Sequence, residues 1–216
     1  MSVALYLGVA PPRRKQAVPQ RSTLTDRAAG QTSGGMYPFV RMAYHMNRAR
    51  RQPPLTLDEP HISSHICWPW DLDFAMELNN GRTLSLLDLG RLPLFLRAGM
   101  FPLVRKHRWQ IAMAGVIVRY RRRVRAFDRF EMQTKILGWD KRFIYIEQTM
   151  WKRDGECANH AVYRVAVTDK NGILDPAVIA ELRGIPAQSP DLPAWIEAWS
   201  SAEALRPWPP ERAPKA

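Results

Sequence analysis

Asp71-Leu72-Asp73-Phe74-Ala75-Met76-Glu77-Leu78-Asn79-Asn80-Gly81-Arg82-Thr83 runs directly into Leu84-Ser85-Leu86-Leu87-Asp88-Leu89. The fold turns on where this stretch stops being strand-like and becomes helix. Behind it, from His61, the residues Ile62, Ser64, Ile66, Trp68 and Trp70 fall on one face of an extended chain. Pro69 stands near the expected end of that strand, where a missing N–H is tolerated. Ahead of it, Leu84, Leu86, Leu87, Leu89 and Leu92 surround a helix instead of striping one side, which predicts a deeply buried helix. Asn79 or Asn80 is its natural N-cap, and either leaves the next N–H groups unpaired and pointing outward. Pro93 is expected to end the helix, kink it or restart it through Leu96, and Gly99 to stop it.

A run of strands is expected next, over residues 111–124, 127–139, 143–152 and 157–169. Asp140-Lys141-Arg142, Asp154-Gly155 and Lys170-Asn171-Gly172 punctuate it as turns. Such short connections favour antiparallel neighbours. One buried helix followed by an antiparallel meander implies an α+β domain with the sheet wrapped around the helix. Residues 1–35 are rich in Pro, Gly, Ser, Thr, Gln and Arg without a sustained period, and read as a disordered extension. Met36 opens a natural beginning, so translation is expected to start there; native peptides from residues 1–35 in a mass spectrum would overturn this. Residues 37–51 can form a basic amphipathic helix broken by Gln52-Pro53-Pro54. The domain is expected over 36–185, with a short helix at 176–183. Residues 186–216 form a proline-rich tail with a candidate helix at 194–205.

The chain has 216 residues, 46% of them hydrophobic, enough for one domain with a sizeable core. No segment approaches the roughly 20 apolar residues of a membrane span. Residues 3–10 are apolar but run into Pro11-Pro12-Arg13-Arg14-Lys15 without a basic leader, which makes a poor signal peptide. The two cysteines, Cys67 and Cys157, offer neither a disulfide framework nor zinc spacing and fit a reducing cytoplasm. His61, His65 and His160 have no metal spacing and are expected to be structural or exposed. No G-x-S-x-G elbow is present. The tryptophans are expected in the core, in a subunit interface or along an apolar pocket. The net charge of +12 suits either plain solubility or an anionic partner: nucleic acid, an acidic membrane surface or a phosphate-bearing cofactor.

The strand-to-helix junction gathers carboxylates, asparagines and free N–H groups. Such a set can attack or hydrate a carbonyl while stabilising the charge on its oxygen. Asp71 and Asp73, two apart, would share one face of an extended chain, and two close carboxylates raise one pKa. The stretch from Asp71 to Asn80 resembles the Asp-x-Asp-x-x-x-His-x-Asn-Asn signature of hotdog-fold acyl-CoA thioesterases, a group that includes hydroxybenzoyl-CoA thioesterases and thioesterase-like members. The resemblance covers roughly residues 61–169. It implies a hotdog fold, a curved antiparallel sheet wrapped around a long central helix.

The resemblance also implies that Asp73 is the catalytic carboxylate, as nucleophile or as general base for water. Asn79, Asn80 and Gly81 would supply the electrophilic half of the site. It implies no metal or redox cofactor, an acyl-CoA or acyl-carrier-protein thioester as substrate, and a homodimer or homotetramer. Glu77 departs from the signature's His, and Thr83 from a common aromatic residue. Glu77 is expected to turn away, to pair with a base such as Arg82, or to alter the activity. Asp71 is expected to position the turn, pair with an arginine or help hold substrate. Asp88 could be an acid on the central helix, but its i,i+3 spacing to Arg91 favours an ion pair.

Arg119, Arg121, Arg122, Arg123 and Arg125 form the densest basic cluster. In a strand, Arg119, Arg121, Arg123 and Arg125 would share one face and could hold the phosphates of CoA, or simply be solvated. Two rival functions stand beside hydrolysis. One is a non-catalytic hotdog protein holding acyl-CoA, a lipid or another anionic partner. The other is a binder of anionic membrane or nucleic acid; no nucleic-acid module accompanies the charge, which disfavours the latter.

Overall fold

A computed structural model describes residues 37–213. The expectations for residues 1–35 and for a start at Met36 lie outside the described residues. Helix α1 (Phe39–Ala49) leads into strand β1 (His61–Ile66), then α2 (Asn80–Arg97) and α3 (Met100–His107). Strands β2 (Gln110–Tyr120), β3 (Arg129–Trp139), β4 (Ile144–Lys152), β5 (Cys157–Asp169) and β6 (Gly172–Ile173) follow, then helices α4 (Pro176–Leu182) and α5 (Ala194–Leu205). The sheet is antiparallel in the order β1-β3-β4-β5-β2, with β6 on β5. Register shifts at Met113/Gly115, Ile136/Gly138 and Met150/Trp151 interrupt three of the pairings. Such irregularities bend strands and tighten their twist, and the sheet curls into the half-barrel of a hotdog fold.

Alternation along the strands gives the sheet two buried faces. Met132, Ile146, Met150, Ala161, Tyr163 and Val165 join the core that contains Leu86, Leu87, Leu89 and Leu94 of α2. Tyr145, Val162 and Ala166 point the other way and pack with Ile196 of α5. The proline-rich segment beyond residue 185 therefore covers the back of the sheet. Ser189 Oγ accepts the Trp139 N–H at 2.8 Å and helps hold it there.

Helix α2 sits so close to the sheet that a Cβ on Gly90 would lie 2.6 Å from both Met132 Sδ and Thr134 Oγ1. Gln148 fills the polar gap beside it. Its Nε2 donates to Leu87 O at 2.8 Å and Thr134 Oγ1 at 2.9 Å, and its Oε1 accepts from Arg91 at 3.0 Å. Arg91 pairs with Asp88, as the i,i+3 spacing suggests, and its guanidinium lies over the Tyr163 ring.

Three local expectations change. Strand β1 stops at Ile66 because Pro69 opens a 3-10 turn, Pro69–Asp71. Trp68 and Trp70 stack on each other outside the strand, with ring centroids 5.1 Å apart. The buried face of β1 carries His61 and His65, while Ile62 is exposed. Strand β2 ends at Tyr120 instead of Val124, because the N–H groups of Arg121 and Arg122 both turn to Ala158 O. Helix α2 runs through Pro93, and after the left-handed Gly99 (φ 67°) a separate helix, α3, begins.

Candidate functional site

The turn Pro69–Asp71 breaks the extended chain and swings Asp71 inward. Its side chain is 0% exposed. Oδ1 accepts from Arg82 Nε at 2.7 Å; Oδ2 accepts from Arg41 Nη1 at 2.7 Å and from the Trp68 N–H at 3.1 Å. Arg41 Nη2 also donates to Ile66 O at 2.9 Å. Asp71 thus ties α1, the end of β1 and the first turn of α2 together. With both oxygens on protein donors, Asp71 makes the arginine pairing and holds the turn, two of the roles expected of it.

Asp73 escapes this burial. Leu72 and Leu78 bridge as the base of a small hairpin, and the Asp73 N–H donates to Glu77 O at 2.8 Å. Asp73 Oδ1 accepts the Ala75 N–H at 2.8 Å, an Asx turn that fixes the carboxylate at a half-buried position. Asp71 and Asp73 therefore do not share a face.

Asn79 is the N-cap of α2. Its Oδ1 accepts the Arg82 N–H at 2.9 Å, and its carbonyl accepts from Thr83 through N–H (2.8 Å) and Oγ1 (3.1 Å). Among the described residues, the N–H groups of Asn80 and Gly81 make no hydrogen bond. They form the positive end of the helix dipole, suited to a developing oxyanion.

A cleft of about 220 Å³ opens beside this helix end, lined by Glu77, Asn80, Thr83, Tyr120, the run Arg121, Arg122 and Arg123, and Asn159. Asp73 is not part of its wall. Glu77 is the cleft's carboxylate, held by Arg123 Nε at 3.1 Å and not by Arg82, which is engaged with Asp71. Arg122 pairs with Glu156 at 2.8 Å.

The basic cluster does not share one face. Arg121, Arg122 and Arg123 border the cleft from an irregular loop. Arg119 stays on β2 and borders a different hollow with His160 and Trp195. The difference arises where β2 ends: after Tyr120 the period of two no longer applies.

Tyr120 and Asn159 are cleft residues that sequence reasoning passed over. Tyr120 Oη donates to Asn80 O at 3.2 Å, and burial pushes its phenol pKa up. Asn159 is buried; its Nδ2 contacts Met150 Sδ at 3.3 Å, and its Oδ1 has no partner among the described residues. An amide on the inward face of an otherwise apolar strand was the available signal. Among the described residues no cluster of His, Cys, Asp and Glu suits a metal ion.

A sequence model of the thioesterase-like superfamily matches residues 67–200, a span that holds the hairpin, the cleft and the first half of α5. The chain is 39% identical over 111 residues to protein THEM6 of Xenopus laevis, a match covering 51% of this chain and 54% of that protein. It is 31% identical over 144 residues to protein THEM6 of Drosophila melanogaster, covering 65% and 72%. The chain thus spans little more than half the length of the frog relative. Among solved structures, the probable thioesterase YbaW of Escherichia coli superposes with a TM-score of 0.54 at 16% identity, covering 57% of this chain and 95% of that one. At that identity the shared property is the fold.

Proposed function

The chain belongs to the thioesterase-like superfamily, and on that premise we propose that it is an acyl-CoA thioesterase, converting acyl-CoA and water to a carboxylic acid and CoA. The observation that carries this reading is the unbonded N–H of Asn80, which lines the α2 cleft, with the unbonded N–H of Gly81 next to it in the first turn of the helix. A thioester carbonyl oxygen placed there meets fixed donors and the helix dipole. Negative charge on the tetrahedral intermediate is then stabilised without reorganisation. Asp73 supplies the carboxylate, either attacking the carbonyl carbon and expelling the CoA thiolate to give a mixed anhydride that water opens, or taking a proton from a water that attacks and expels the same thiolate, which is then protonated. Arg121 and Arg123 at the cleft rim bind the phosphates of CoA, or those of an acyl-carrier protein's prosthetic arm. No metal or redox group enters this scheme.

Among the described residues strand β2 has a strand neighbour on one edge only, and it exposes Met113 and Val116. This supports assembly as a homodimer or homotetramer. The free Cys67 and Cys157 fit a reducing cytoplasm.

One observation favours a second reading, a non-catalytic acyl-thioester binder. Asp73 stands outside the cleft wall, and the carboxylate inside it, Glu77, is tied to Arg123. Thiol release from short, medium, long and aromatic acyl-CoAs separates the two. Turnover reduced about 100-fold or more by Asp73→Asn, with the fold intact and Glu77→Gln active, supports hydrolysis by Asp73. Acyl-CoA binding without turnover supports the binder, and turnover lost only in Glu77→Gln moves the carboxylate's role to Glu77.

A further inference from the structure

The hairpin that carries Asp73 also carries the most exposed apolar side chains near the cleft. Phe74 at its tip is 100% exposed, and Met76 is 67% exposed. The loop between β2 and β3 lies alongside, joined by Leu78 N–H to Val124 O (2.8 Å) and Phe127 N–H to Cys67 O (2.7 Å). It adds Phe127, 61% exposed, and the preceding turn adds Trp70, 57% exposed. Trp68 links them, stacked on Trp70 and edge-on to Phe127.

These four apolar groups occupy one end of the fold. Water disfavours them all, and the fold does not cover them. Met76 and Phe127 are also two of the three described non-glycine residues at positive φ, 58° and 66°. Bulky side chains adopt that conformation at a cost. Here the strain goes with side chains turned outward rather than packed inward.

The same two loops hold Arg121, Arg122, Arg123 and Arg125. Arg122 and Arg123 are balanced by Glu156 and Glu77; among the described residues, Arg121 and Arg125 form no ion pair. The other carboxylates in these loops are turned to the backbone: Asp73 accepts the Ala75 N–H, and Asp128 accepts the Arg125 N–H at 2.9 Å. Asp73 and Asp128 keep their charge in these turns, so the end presents apolar tips beside two guanidinium groups, Arg121 and Arg125, that have no carboxylate partner among the described residues.

We propose that this end is a peripheral membrane-docking surface for anionic lipid: Trp70, Phe74, Met76 and Phe127 enter the headgroup boundary while Arg121 and Arg125 meet the lipid phosphates. Tryptophan and phenylalanine suit that boundary, and arginine reaches headgroup anions while its stem stays among apolar groups. The patch is a set of loop tips and not a groove. Four side chains also fall well short of the roughly 20–30 residues a side that a stable protein interface engages. Both features favour a fluid, anionic surface over a shaped protein partner. Glu77 and Arg121–Arg123 belong to these loops and to the cleft, so docking brings the cleft mouth to the bilayer. That consequence, access to acyl thioesters dissolved in lipid, rests on the thioesterase reading; the docking itself does not.

The test is flotation of the full chain with vesicles of phosphatidylcholine alone or mixed with phosphatidylglycerol. Binding to the mixed vesicles is expected, weakened by salt and about tenfold stronger than to phosphatidylcholine alone. Two variants, Phe74→Ser/Met76→Ser and Arg121→Gln/Arg125→Gln, are each expected to lower it about tenfold, with the thermal midpoint of each compared with the parent. No flotation of the parent overturns the proposal, as does undiminished flotation of both variants. Sedimentation velocity covers the remaining rival. A parent dimer that Phe74→Ser/Met76→Ser turns into monomer makes the patch a contact between copies and overturns docking. None of these readouts uses turnover, so a failed thioesterase assay and a failed docking surface remain distinct results.

Discussion

Replacing Asp71 by asparagine is expected to destabilise the fold by about 3 kcal/mol, because two guanidinium groups lose the buried carboxylate between them. Arg41 and Arg82 are themselves only 17% and 12% exposed. Urea unfolding of the parent, Asp71→Asn and Asp73→Asn checks this, with Asp73→Asn expected within about 0.5 kcal/mol of the parent because its carboxylate holds a single exposed turn. The contrast tests the separation of roles: Asp71 supports structure, and Asp73 is free for chemistry. The junction itself was legible in the sequence. An asparagine N-cap at 79 or 80 follows from residue type and position, with the structure selecting Asn79, and the pairing of Asp88 with Arg91 follows from spacing. The pairing of Asp71 with arginine is also among the roles its sequence suggests, whereas the shared face expected of Asp71 and Asp73 fails because the 3-10 turn at Pro69 swings Asp71 inward. Glu77 does pair with a base, one of the outcomes expected of it, but the partner is Arg123 and not the Arg82 offered as an example. Arg82 is nearer in sequence, but Asp71 holds it, so Glu77 takes Arg123 from a loop more than forty residues away.

Helix α2 depends on a glycine at its contact with the sheet. Gly90→Ala places a methyl group 2.6 Å from Met132 Sδ and Thr134 Oγ1 and 3.2 Å from Gln148 Nε2. The substitution raises helix propensity, yet overpacking and a disturbed Gln148 network should outweigh that gain, for a net loss of about 1–3 kcal/mol. A lower thermal midpoint for Gly90→Ala checks this; an unchanged or raised midpoint would show that helix and sheet can separate slightly at no cost. At this scale the sequence was most readable where turn signals bracket a strand. Strand β5 and helix α5 have the bounds expected of them. Strand β2 is shorter than expected because Val124 keeps the phase of Val116, Val118 and Tyr120 across three arginines, although the backbone has already left β5's ladder at Tyr120. Helix α3 was missed because Pro102 interrupts a short segment, yet a proline in a first helical turn gives up no intrahelical hydrogen bond. The face of β1 was inverted because isoleucines were weighed above histidines. In the folded chain His61 and His65 are buried near His45 of α1, while Ile62 is 46% exposed.

The whole molecule is strongly basic, and that charge bears on a histidine cluster in its interior. His45 of α1 and His65 of β1 lie with ring centroids 4.3 Å apart, and Ser63 Oγ is 2.7 Å from His65 Nε2. His61 Nδ1 faces Arg97 Nη1 at 3.1 Å. Burial, reinforced by the Arg41 and Arg48 cations, lowers His45 to about 4. Burial and Arg97 likewise lower His61 to about 4, and burial with His45 carries His65 well below 6.5. Each ring is therefore neutral in the folded protein at a pH where the unfolded chain has already protonated it. The unfolded state binds more protons between about pH 4 and 6.5, so stability rises with pH across that window and is lost on acidification. His45 and His61 alone correspond to nearly two protons, a slope of about 2.4 kcal/mol per pH unit near the middle of the window. Urea midpoints measured at steps from pH 7.5 to 4.5 should fall steeply below about pH 6.5, with loss of the α1–β1 contact as the cause. His45→Gln/His61→Gln should flatten that fall even if it lowers the midpoint at neutral pH. An equally steep fall in this variant would assign the acid sensitivity to the carboxylates, among them Asp71 at the other end of α1's contact with the sheet.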